Sequence, residues 1–335
     1  LRSMAEGDDL LFDEYEVIYE DLRDVISDFI NSYTHPEFFK SVYIYNGSEK
    51  PITRKAGLTG LMSHICERVY YRTPIINNEA INKTELTGAA FTSRNKIIAG
   101  LLRNTLEENL GLTGTGQEVS IMRSTLIRQK ILVTEASGIT RINLKTGDAD
   151  LDYMLNVISG FILDAKRKGT SDFSELYNLL MSPEEGIGIR KSLIPIYLAA
   201  VLHEYRQEAV IANSLGQVPL SADTLLQIEA EPKEFRLQYL DWDPDKEEFI
   251  RELEGIFGDN IVKAEKAVNS YDYVVSAMRR WYMALPKYSK EKNPETRAKR
   301  YKCLIRLLKQ NIGSYDLLFV KLPQGFGVET FNSSL

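Results

Sequence analysis

GIGIRKSLIPIYLAAVLHEYRQEAVIANSLGQVPL, residues 186–220, holds three local structures in a row. Gly186-Ile187-Gly188 marks a turn, and 193–205 makes an apolar helix that Ser192 is placed to cap. Asn213-Ser214-Leu215-Gly216 then separates two short β-rich arms, the signature of a hairpin. A helix over 173–181 precedes them, so the order is helix, turn, helix, hairpin, the pattern of a winged helix. A winged helix that reads DNA offers polar and basic side chains from its second helix to the groove. Here Leu193, Ile194, Ile196, Leu198, Ala199, Val201 and Leu202 fill the centre, with Arg190 and Lys191 at the start and Arg206 at the end. Such a helix belongs inside a domain, and the hairpin tip at 213–217 has no cation for a phosphate. The expectation is a winged helix used for packing or protein contact. Beyond it, Ser221 caps a helix to about Ala230, and 235–239 alternates as a strand.

Working outward, helical periodicity dominates. Leu11, Tyr15, Ile18, Leu22, Ile26 and Ile30 make 8–32 one long amphipathic helix, with Asp9 or Asp13 favouring its start. The segment 41–52 is extended around an Asn46-Gly47 turn. A second helix covers 54–71 and stops at Thr73-Pro74; an amide-rich connector, 74–86, leads to a helix ending at Arg103. Further helices are expected over 120–129, 150–168, 245–257, 260–281 and 295–311. The fold class is therefore mainly α, a helical bundle with one or two winged-helix-like subdomains and short β-hairpins. The expected division is 1–72, an N-terminal helical segment; 73–170, a helical subdomain with a second winged-helix option; 171–241, the winged-helix-like subdomain; 242–322, a C-terminal helical subdomain; and 323–335, a loose tail.

Composition places the chain among ordinary globular proteins, because 44% of its 335 residues are hydrophobic and 26% charged. No run reaches the length of a membrane span, and the first thirty residues are too acidic for a targeting peptide, which points to the cytoplasm. Leu1-Arg2-Ser3-Met4 reads as a vector-derived start ahead of an internal piece of a longer protein. Cys66 and Cys303 are expected as free thiols on buried helix faces. The net charge of −6 conceals an asymmetry: ten acidic residues against Arg23 over 6–28, and twelve acidic against four basic over 223–259. From Lys287 to Lys309 nine basic residues stand against Glu291 and Glu295.

Candidate chemistry is sparse. DWDPDKEEFIRE, 241–252, has the acidic spacing of a calcium loop, but Lys246 replaces the glycine its turn requires and Pro244 stiffens it. Asp243 capping a helix with Pro244 in its first turn explains it better. GLTGTGQE, 111–118, is no phosphate loop, since Gln117 and Glu118 follow the last glycine where a lysine would be needed. His35, His64 and His203 do not cluster at ligand spacing, no hydrolase motif is present, and neither a catalytic residue, a metal nor a cofactor is assigned. The basic block is the best functional candidate. Arg279, Arg280, Lys299, Arg300, Lys302 and Arg306 are the residues expected to contact phosphate or an acidic partner, with Tyr288, Tyr301, Trp281 and Tyr282 near enough to stack on bases. Its rival role is a charge match with the acidic faces, within the chain or between copies.

Three segments, TPIINNEAIN (73–82), 186–211 of the opening stretch, and RRWYMALPKYSKE (279–291) with DLLFVKLPQGFG (316–327), are together similar to the accessory region that follows the P-loop module of very large bacterial ATPases. That family includes antiphage-defence proteins of the BREX type. The resemblance spans about 60–327, and it implies a non-catalytic binding and assembly region of a larger ATPase acting on DNA, with nucleotide hydrolysis outside this chain. Its partners would be DNA, other domains of the parent or another protein, without a membrane and with self-association open. A scaffold that binds protein and no nucleic acid is the alternative, and an enzyme with an unrecognised site a weaker one.

Overall fold

A computed structural model describes residues 7–262, 265–266, 269–291, 298–310, 312–328 and 331. The chain divides into two compact units, Leu1–Tyr71 and Arg72–Leu335. The first holds α1 (Asp9–Thr34), the hairpin β1 (Tyr43–Tyr45) and β2 (Ser48–Lys50), and α2 (Lys55–Val69). The Asp8 carboxylate caps α1 by accepting from the Leu11 amide at 3.1 Å. Asn46 and Gly47, at φ of 52° and 71°, supply the left-handed pair that a two-residue hairpin turn requires. The Tyr43 hydroxyl donates to the Tyr33 carbonyl at 2.7 Å, and Glu37 accepts from the Lys55 amide at 3.1 Å. Neither α1 nor α2 buries a residue, so Cys66, expected inside, is exposed.

The second unit continues with α3 (Gly88–Leu101), α4 (Gln117–Met122), β3 (Leu132–Thr134), β4 (Thr140–Ile142), α5 (Ala149–Lys168), β5 (Thr170–Asp172), α6 (Phe173–Met181) and α7 (Ile194–Glu204). Then come β6 (Ala209–Asn213), β7 (Gly216–Val218), α8 (Ala222–Ala230) and β8 (Arg236–Tyr239). Every residue of α7 from Ile194 to Leu202 is buried, as an all-round apolar helix must be. Its entry is knit to distant backbone: Thr73 donates to the Ile187 carbonyl at 2.6 Å, and Ser192 to that of Ile81 at 2.7 Å. Ser192 is thus no cap, because its hydroxyl satisfies a carbonyl across the core instead. Arg94, 2% exposed, donates to the Ser192 carbonyl and grips Glu229 with both terminal nitrogens at 2.7 and 2.6 Å, tying α3 to α7 and α8. A charge so buried persists because its two terminal nitrogens are paired with a carboxylate and a carbonyl, although its Nε has no partner.

The 209–218 hairpin is part of a four-stranded antiparallel sheet ordered β5-β8-β6-β7. Strand β8 lies between β5 and β6, pairing Leu237 with Ser171 on one side and with Ile211 on the other. Sequence patterning anticipates β6, β7 and β8 but not β5 or the β3–β4 hairpin, whose three-residue strands are too short to show alternation.

A second core is built from α9 (Pro244–Phe257), α10 (Ser270–Ala284), α12 (Ala298–Leu308) and α13 (Ser314–Asp316), with α11 (Lys287–Glu291) following α10, and α14 (Leu322–Phe326) packing on Cys303 and Leu307 of α12 in a smaller cluster. Asp243 caps α9, accepting from the Lys246 amide at 2.9 Å, while the Lys246 ammonium bonds the Asp243 carboxylate and the Asp241 carbonyl. The helix expected from residue 260 begins only at Ser270. The Asn260 carbonyl accepts from Arg280 Nε at 2.8 Å, which a continuous helix would forbid by placing these residues about 30 Å apart. In the described part of the tail Pro323 is buried in α14, Gly327 (φ 84°) ends that helix, and the Phe331 ring lies 5.1 Å from that of Phe319, while Gln324, Gly325 and Gly327 are exposed.

Candidate anion-binding site

The six cations singled out from sequence separate into two groups. Arg279 turns inward, donating to the Ile312 carbonyl at 3.1 Å. Arg280 holds Glu265 with two bonds, at 2.7 and 2.6 Å, besides its bond to Asn260. Both guanidiniums brace the second core. Lys299, Arg300, Lys302 and Arg306 are exposed on α12.

The periodicity of α12 explains that exposure. Cys303, Leu307 and Leu308 are buried on one side, and Lys299, Lys302, Arg306 and Lys309, at i, i+3, i+7 and i+10, follow one another on the opposite face. Arg300 departs from this line, its guanidinium 5.6 Å from the centre of the Phe326 ring. Lys302, Arg306 and Lys309 join Lys290 of α11, Tyr301, Ile305 and Gln310 around a pocket of about 360 Å³. Lys290 and Lys309 bring their ammoniums to 5.5 and 5.6 Å from the Tyr282 ring. Such stacking fixes a cation without neutralising it. The Tyr301 hydroxyl donates to the Ser289 carbonyl at 3.1 Å, so its ring is anchored as a wall. Among the described residues no carboxylate lines the pocket and none of its four cations forms a salt bridge. Four positive charges gathered in one pocket attract a ligand with several negative charges. Lys292, Arg297 and the side chain of Tyr288, also in the basic block, lie outside what is described.

Other cavities carry different chemistry. Beside the β6–β7 hairpin a groove of about 730 Å³ is lined by Glu265, Asp272 and Asp316 and, among the described residues, by no lysine or arginine. Burial holds the Asp272 carboxyl above its ordinary range, against a hydrogen bond from Ser314 and the charge of Arg279. A pocket of about 410 Å³ includes Asn104, whose buried Oδ1 has no partner, and His203, Arg206, Glu254 and Tyr273, which are engaged. His203 Nδ1 bonds the Leu101 carbonyl at 2.8 Å, Arg206 donates to that of Arg103 at 2.9 Å, and the Tyr273 hydroxyl donates to Glu254. Burial, and after it the Arg206 charge, holds His203 below the usual imidazole range, so the ring is a neutral brace. The glycine-rich 111–118 segment is a loop into α4, where Glu118 takes Lys96 at 3.1 Å.

Among the described residues no helix is long and apolar enough to cross a membrane. No family model matches this chain, and neither a curated protein nor a solved structure matches it.

Proposed function

We propose that this chain is a non-catalytic binding and assembly region of a larger ATPase acting on DNA, and that the α12 face with Lys290 is its phosphate contact. The observation that carries the reading is the pocket where Lys290, Lys302, Arg306 and Lys309 meet with no carboxylate among the described residues. Lys299 and Arg300 extend it toward the start of α12. The winged-helix-like segment would serve packing, since α7 is buried. The parent ATPase and its place in antiphage defence rest on the sequence resemblance alone.

Fluorescence anisotropy with labelled single- and double-stranded DNA, from about 50 to 200 mM salt, tests this reading. The expected result is affinity that falls steeply with salt, with a logarithmic slope reduced by roughly 3 in a K302E/R306E/K309E variant, one unit for each cation withdrawn from a phosphate. Absence of binding at the lowest salt, or a variant that binds as well as the parent, refutes it. A protein scaffold is the second reading, and α1 favours it: a helix of 26 residues that buries none of them needs a partner.

A further inference from the structure

The apolar side chains of α1 follow a seven-residue pattern. Tyr15, Leu22 and Phe29 recur at one seam position, and Leu11, Ile18 and Val25 at the other, the 3-4 spacing of a coiled-coil seam. Phe12, Tyr19, Ile26 and Tyr33 recur immediately after the second, widening the stripe on one side. On the other side Glu14, Asp21 and Asp28 recur at the same interval, so one border of the stripe is uniformly anionic. The stripe lies open to solvent, with Leu22 56%, Val25 66% and Phe29 65% exposed. Contiguous exposed apolar surface of this kind marks an interaction site.

Charge decides what covers it. Two copies of α1 paired antiparallel would set Glu14, Asp21 and Asp28 against the same carboxylates of the other copy. Paired in parallel, those carboxylates would lie against Tyr19, Ile26 and Tyr33 and lose water without gaining a cation. An anionic membrane is repelled by the same charges. We propose that α1 is one strand of a heterotypic coiled coil, and that its partner is an amphipathic helix with lysine or arginine every seven residues beside its apolar seam. The partner's cations would pair with Glu14, Asp21 and Asp28 while its apolar side chains cover the stripe. The residues it uses are not those of α12, so either site can fail without the other.

The test uses the full chain and two designed fluorescent helical peptides with the same apolar seam, one flanked by lysine and its twin by glutamate. Anisotropy titrations should show the lysine peptide binding at least tenfold more tightly than its twin, with affinity that declines as salt rises. In an I18D/V25D variant, whose helix content is checked by circular dichroism, binding should weaken at least tenfold. That variant is more acidic than the parent, so attraction by charge alone would strengthen instead and overturn the proposal. Equal binding of both peptides, or of neither, also overturns it. So does a concentration-dependent dimer in sedimentation velocity that I18D/V25D abolishes, since the occupant would then be a second copy. The K302E/R306E/K309E variant should bind the lysine peptide as the parent does.

Discussion

Helices α1 and α7 show how little amphipathic pattern says about burial until a partner is found. The longer, α1, has 26 residues and buries none; α7 has 11 and buries nine in succession. Around α7, side chains from α3, α5 and α8 close a core that extends from Ile76 to Leu237. In the first unit Pro36 alone among the described residues is buried, and local hydrogen bonds such as Tyr43 to Tyr33 hold the chain together. One unit carries its own hydrophobic stabilisation, and the other presents apolar surface that folding has not used. The charge pattern follows the same division of labour: the cations of α12 stand on a core-backed helix, and the carboxylates of α1 border an open stripe.

The largest effect expected within the core-bearing unit comes from Arg94. Replacing it with alanine leaves Glu229, whose side chain is 17% exposed, without its cation and the Ser192 carbonyl without its donor. Breaking a buried pair from one side costs about 3–5 kcal/mol. Urea unfolding followed by tryptophan fluorescence reads it directly, because Trp242 and Trp281 both pack in the second unit's C-terminal core. An R94M/E229L double variant should recover most of the loss, since apolar side chains of similar volume substitute for a buried pair at little cost. If R94A alone were neutral, the contrast between a self-sufficient unit and a dependent one would lose its main support.

A smaller effect is expected where the core meets a helix end. Asp243→Ala removes the side-chain cap of α9 and the carboxylate partner of Lys246, whose ammonium keeps the Asp241 carbonyl. The same unfolding experiment should show a loss of about 1 kcal/mol, the usual value for an N-cap. Calcium should leave the midpoint unchanged, because Lys246 already occupies the Asp243 carboxylate. A calcium-dependent rise in the midpoint would restore the metal-loop reading of 241–252.

That capping residue belongs to the part of the fold that was legible in the sequence. Asp243, Ser221 and the Asn46-Gly47 turn act through neighbours a few residues away, so type and spacing reveal them. The seven-residue recurrence along α1 is local in the same sense. What could not be read is what depends on distant convergence. Nothing near Ser192 indicates that its hydroxyl meets Ile81, nor near Arg94 that Glu229 lies opposite. The candidate site divides along the same line. Lys302 and Arg306 follow from helical periodicity, whereas the engagement of Arg280 by Glu265 and the arrival of Lys290 beside Lys309 depend on how the chain folds back. The short strands β3, β4 and β5 have no pattern of their own and exist through their pairing partners.

The smallest effect is the most informative about α1. Leu22→Ala should change thermal stability, followed by circular dichroism at 222 nm, by less than about 0.5 kcal/mol, the range for substitutions at exposed sites. Leu198→Ala, the same chemical change in the middle of α7, should cost about 2–5 kcal/mol, because it opens a cavity in close-packed surroundings. The difference between the two tests whether the stripe on α1 is uncovered in solution. If Leu22→Ala cost as much as Leu198→Ala in the chain alone, the stripe would already be covered before any peptide is added, and the proposed partner would have no surface to take. If it cost nothing alone but weakened the lysine-flanked peptide, the apolar surface that contributes nothing to folding would be contributing to assembly.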